Sequence, residues 1–314
     1  AVRVSLLAAT ASEDGKARLW SLASGSCVQV LEDDSKVTTL AFSPDGKQLV
    51  TGSSDGAIRI WNLLSGSCSS VIQVHTEPVT SLSFAPKGGA FVSSSSDGTA
   101  EIRDLRGDRI STLRCGEPVH SAVFSPDGGT LATACQNSVV QVWAVGGSRA
   151  PLVKLLGHSD AVNSVAFGPD GLVLVTASSD FTARVWRPKV VENSQPPFLW
   201  GRWVRGVEDE QMILRGHTAS VTAASFSSDG LTILTASRDC TVRLWSAQSG
   251  VCRAELLGHQ SGVSSAAFSA SGHVVASASS DGALRVWSSP TGALLREMSA
   301  DEPSEVKFVA FSAA

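Results

Sequence analysis

The chain has 314 residues, a formal charge of −4, and 43% apolar and 17% charged side chains. That apolar share supplies a core and excludes a disordered polymer. The mild acidity, with no block of like charges, argues against nucleic acid as a partner, and no apolar run is long enough to span a bilayer.

In chain order, VSLLAATAS at 4–12 imitates a secretory signal, but it lacks a charged start and reads as a strand. A turn at Asp14-Gly15, a strand KARLW at 16–20 and a strand CVQVLE at 27–32 follow it. Next comes VTTLAF at 37–42, the turn SPDG at 43–46, a second strand LVTGSS at 49–54 and a tight turn at Asp55-Gly56. Proline presets the first turn angle, aspartate caps the turn, and glycine takes the left-handed position. The third strand alternates cleanly, with Ile58 and Ile60 on one face; Val140/Val142, Val242/Leu244 and Leu284/Val286 repeat this later. A more variable fourth strand ends the unit.

The whole pattern recurs. A phenylalanine five residues after a valine returns at Phe42, Phe84, Phe124, Phe167, Phe226, Phe268 and Phe311, spaced by 42, 40, 43, 59, 42 and 43 residues. The turn returns as APKG at 85–88, SPDG at 125–128 and GPDG at 168–171. Four antiparallel strands per unit of about 40 residues describe a propeller blade. Units fall at 33–73, 74–114, 115–156, 157–215, 216–257 and 258–299. Residues 1–32 lack a first strand, and SEVKFVAFS at 304–312 matches one with nothing after it. Joined with 300–314, the N-terminal piece completes a seventh blade. The expected fold is all-β: one seven-bladed propeller over 1–314, closed by strands from both termini.

The one anomalous interval holds an insertion of 17 residues, at about 188–209, between a third and a fourth strand. RPKVVENSQPP reads as a loop. Phe198, Trp200, Arg202, Trp203 and Arg205 follow, outside the repeat register. Tryptophan and arginine are enriched at interface hot spots, so a partner-contacting element is one reading and a lid folded back on the blade edge is the other.

These units resemble the WD40-repeat family along the whole chain. The resemblance implies a hydrogen-bonded His, Ser/Thr, Asp and Trp set in each blade. Three units carry all four: His158, Thr176, Asp180, Trp186; His217, Thr235, Asp239, Trp245; and His259, Ser277, Asp281, Trp287. Others depart. Arg103 stands in the tryptophan place beside His75, Ser93 and Asp97; Asp33 stands in the histidine place beside Thr51, Asp55 and Trp61. Cys115 and Asn137 replace histidine and aspartate in a third unit, and Glu302 replaces histidine in the split one, beside Thr10, Asp14 and Trp20. The weaker networks are therefore expected in blades two to four, counting the split blade as one.

Recurrence at repeat spacing makes these sets structural, since one active site would not need several copies. No CxxC, HExxH or phosphate loop is present, so no metal or cofactor is expected. The six cysteines read as reduced thiols of an intracellular, cytoplasmic protein; Cys27, Cys68 and Cys252 hold equivalent places in separate repeats. Cys115 and Cys135 fall near one turn network, as a packed pair or a reactive one.

Antiparallel order puts the Asp turns on the same face as the turns entering each first strand, the face on which the family usually binds partners. Small residues dominate it, with Phe181 after Asp180, Arg238 before Asp239, and Glu13 before Asp14 as exceptions. The expected function is a non-catalytic protein-interaction scaffold, a monomeric propeller within a longer protein, binding proteins or peptides rather than nucleic acid or membrane. A cytoskeletal, ciliary or centriolar WD-repeat protein is the alternative, and a propeller hydrolase or lyase the reading from a different class.

Overall fold

A computed structural model describes residues 7–147, 150–187, 210–300 and 304–312. The 28 strands β1–β28 run in chain order and form seven four-stranded antiparallel sheets. Six sheets take four consecutive strands each. The seventh has the order β28 (Val306–Phe311), β1 (Leu7–Ser12), β2 (Lys16–Ser21), β3 (Cys27–Glu32), so strands from both ends of the chain close the ring. Register runs from Ala8 opposite Phe311 to Ser12 opposite Val306, and the backbone of Leu7 and Ser312 adds a further bond of 2.9 Å.

Local chemistry sets each strand's ends. At 43–46 the Asp45 carboxylate accepts from the Ser43 hydroxyl at 2.6 Å and from the Lys47 N–H at 3.1 Å, while Gly46 adopts φ 66°. Asp127 and Asp229 repeat both contacts in their own units. A side chain that bonds its own turn makes the chain reverse there rather than extend the strand.

The core is divided into seven clusters, each lying between two neighbouring blades. Second and third strands are buried almost throughout, whereas outer fourth strands such as β3 are mostly exposed and bury one residue near their end, Leu31 in β3. Trp20, Trp61, Trp143, Trp186, Trp245 and Trp287 each fill the interface with the preceding blade. Blade three has Arg103 in that place, and its interface is filled differently. Phe91 is fully buried at a position that is aliphatic in the other blades, with Phe84 against it at 6.1 Å between ring centroids. Arg103 turns to Glu101 (2.7 Å) and to the Gly107 carbonyl (2.7 Å). A second aromatic thus supplies the volume that the missing indole leaves.

Candidate functional site

The three complete sets form directional locks. Trp186 Nε1 donates to Thr176 Oγ1 (2.9 Å), which lies 2.7 Å from His158 Nε2, and His158 Nδ1 lies 2.7 Å from Asp180 Oδ2. Trp245, Thr235, His217 and Asp239 repeat this at 2.8, 2.8 and 2.7 Å. Trp287, Ser277, His259 and Asp281 do so at 2.8, 2.7 and 3.0 Å. The carboxylate can only accept, so a neutral imidazole donates Nδ1–H to it and takes the hydroxyl proton at Nε2; His259 differs in that Arg285 Nη1 also faces its Nδ1. That assignment requires a neutral imidazole. Burial pushes all three imidazoles below their ordinary value, against the pull of the aspartates.

Burial opposes the Asp180 charge too, but hydrogen bonds from Thr182 and His158 outweigh it and hold the carboxyl at about 2. The same carboxylate accepts the Ser159 N–H, and its counterparts accept those of Thr218 and Gln260. Each lock therefore ties the entry to a first strand to the Asp turn of the same blade. Thr176, Thr235 and Ser277 are 0% exposed, so no substrate carbonyl can reach their hydroxyls. These sets hold turns and cannot act as hydrolytic triads.

Blades two to four divide in a way the sequence reading did not foresee. Blade two is not weak. Asp33 accepts from Ser53 at 2.6 Å and pairs with Arg59 at 2.9 Å, so an ion pair occupies the histidine place. Blade three keeps His75 on Ser93 (2.8 Å) and Asp97 (2.9 Å) and loses only the indole donor. Blade four keeps only half of the lock: Trp143 Nε1 donates to Thr133 Oγ1 at 3.1 Å and Cys115 Sγ lies 3.7 Å from it, but among the described residues the Asn137 side chain meets just the Val139 N–H, at 3.4 Å. In the split blade Trp20 donates to Thr10 at 2.9 Å and Asp14 pairs with Arg18, while Glu302 lies outside the described residues.

A belt of contacts that the sequence reading missed lines the channel. The second residue of each first strand reaches the carbonyl of the valine opening the next one. Thr38, Thr80, His120, Asn163, Thr222 and Ser264 make such bonds at 2.5–3.1 Å, to Val79, Val119, Val162, Val221, Val263 and Val306. Their signal is a polar residue after each of those valines, which only the ring makes meaningful. The seventh such residue, Lys307, instead pairs with Glu13 (3.0 Å) and Glu305 (2.8 Å) at the closing seam.

Inside this belt lies a cavity of about 720 Å³, opening on the Asp-turn face beside Arg238, Ser280 and Glu305. Arg238 is exposed, and among the described residues no ion pair or hydrogen bond holds its guanidinium. Phe181 stands in the neighbouring blade, 49% exposed at φ 67°. The two turns are joined: Ser179 Oγ lies 3.1 Å from Ser220 Oγ, and the Ser220 carbonyl accepts the Arg238 N–H at 2.9 Å. Phe198, Trp200, Arg202, Trp203 and Arg205 lie outside the described residues. Among the described residues no three His, Cys, Asp or Glu side chains gather as a metal site.

The family model "WD domain, G-beta repeat" (WD40) matches residues 25–62, 66–104, 107–144, 149–187, 208–246 and 250–288, most of the chain. The chain belongs to the WD40-repeat family. No curated protein matches it. Each matched WD40 repeat begins at or before the outer strand of one blade and ends with the third strand of the next, so every repeat spans a blade interface. WD40 propellers are typically protein-interaction scaffolds and generally non-catalytic.

Proposed function

We propose that this WD40 propeller is a non-catalytic interaction platform whose Asp-turn face receives a protein or peptide partner. Phe181 carries the reading. It occupies the left-handed turn position that Gly15, Gly56, Gly98 and Gly282 hold in four blades and the small Ser138 and Cys240 in two, and it is the one large side chain there. Its ring is half exposed rather than folded into the core. Strain without burial has no folding benefit, so its use lies at the surface. The Arg238 guanidinium beside it, unpaired among the described residues, suits a carboxylate on the same partner. The insertion residues Phe198, Trp200, Arg202, Trp203 and Arg205 extend this proposal to a second contact element. It rests on sequence alone: connections from third to fourth strands leave from the face opposite the Asp turns.

Phe181→Gly combined with Arg238→Ser tests the first contact. Both changes install the residue most blades carry, and glycine relieves about 1–2 kcal/mol of left-handed strain. The double variant should melt at or above the parent temperature, yet capture the parent's partners from the source cell at least about tenfold more weakly, the loss of roughly 1.4 kcal/mol. Unchanged capture would remove this face from the function.

A further inference from the structure

Blade four differs from the others at both ends of its lock, and the two changes meet. Cys115 stands in the histidine place. Cys135 stands where Ser12, Ser53, Ser95, Ser178, Ser237 and Ser279 stand in the other six blades. In blade two the residues at these same two positions, Asp33 and Ser53, touch at 2.6 Å, so the fold brings the positions together. In blade four these same positions carry the two thiols, and Cys115 Sγ lies 3.7 Å from the hydroxyl of Thr133, two residues before Cys135. Cys135 is fully buried at the end of its strand, whereas Cys115 is half-buried in the turn entering the next strand.

We propose that Cys115 and Cys135 form a redox-active dithiol that closes an intrablade disulfide on exchange with a small-molecule disulfide of the glutathione class. The reduced state lacks the side-chain tie from an Asp turn that the complete locks have, since Asn137 meets the Val139 N–H of its own turn; backbone bonds and Gln141 Nε2 on the Cys115 carbonyl hold the segment instead. Closing the bond requires the sulfurs to approach to about 2.05 Å. Gly116, at φ 87° with no atom within 4 Å of where its Cβ would be, leaves the turn room for that movement.

The two thiols are suited to different steps. Hydrogen bonds from Cys135 and Thr133 lower Cys115 against the effect of burial, favouring its thiolate. The contact with Cys115 and burial push Cys135 up, with Glu117 adding to the effect. Cys115 thiolate attacks one sulfur of the oxidant and releases the first small thiolate, leaving a mixed disulfide. Cys135 then loses its proton to the medium and attacks the Cys115 sulfur, releasing the second. Two protein thiols are oxidised and one disulfide is reduced to two thiols.

The test equilibrates the folded protein in glutathione/glutathione disulfide buffers of rising potential, quenches exchange with acid, alkylates the remaining thiols under denaturing conditions and maps peptides by mass spectrometry. The expected result is loss of two of the six alkylatable cysteines, with the cross-link mapped to Cys115–Cys135. Cys135→Ser installs the residue of the other six blades and should fold normally while abolishing the cross-link. In that variant a mixed glutathione adduct should accumulate on Cys115. Six alkylatable thiols at every potential would overturn the proposal, as would adducts confined to the exposed Cys27, Cys68 and Cys252.

Discussion

A hydroxyl between an indole and an imidazole has one proton to give, and that proton decides what the WD40 locks can do. Thr235 receives from Trp245 and gives to His217, which gives to Asp239. Asp239 in turn accepts from the Thr218 N–H at 3.0 Å and the Thr241 N–H at 3.0 Å. Asp239→Ala removes the end of this chain and strands four donors near the core surface, the Thr241 hydroxyl being the fourth. It should cost on the order of 1–3 kcal/mol, read from urea unfolding midpoints. A variant as stable as the parent would contradict a structural role for the set. Phe181, by contrast, was legible only as an oddity in the sequence. Its left-handed φ and its exposure, together, distinguish a surface residue from a core one.

At the scale of the element, each lock ties the entry to a first strand to the following Asp turn, and acid should loosen it. His158, His217 and His259 are held by burial below their ordinary 6.5. The unfolded chain protonates them near that value and the folded chain only at lower pH. Their contribution is therefore complete above about pH 6.5 and lost as pH falls through the folded values. Asp180 acts in the same sense at lower pH, since its carboxyl titrates at about 2 when folded against 3.8 ordinarily. The melting temperature should stay level down to about pH 6.5 and fall from there to about pH 5. A flat or rising profile over that range would show that the imidazoles are not buried neutral.

The strands and turns themselves were legible, because period-two alternation and the Pro-Asp-Gly signal are local. So were the lock residues, which sit at fixed offsets within one blade. The polar belt was not. Thr222 finds the Val263 carbonyl 41 residues away in the next blade, and nothing at either position announces the other. Two substitutions were misread for a related reason. Asp33 reads as a lost histidine until Arg59 is seen beside it, and Arg103 reads as a lost tryptophan until Phe91 fills the gap.

For the whole molecule, stability is distributed over seven similar interfaces, and one of them depends on strands far apart in the chain. The interface between blades seven and one gathers Ala276, Leu284 and Met298 against Ala8, Trp20, Val306 and Val309. Lys307 bridges Glu13 and Glu305 at its mouth, but these groups are about one-third exposed, so the pairing adds little beside the buried apolar surface. Without β28, β1 would present an unpaired edge and blade seven an uncovered apolar face. The platform proposed above requires a closed ring, because Phe181, Arg238 and the channel mouth are positioned by it. Deletion of residues 304–314, followed by size-exclusion chromatography with light scattering and a thermal melt, tests closure most directly. The account expects aggregation or higher oligomers and a melting temperature lowered by many degrees. A truncated protein that stays monomeric and melts with the parent would contradict the closed seven-bladed ring.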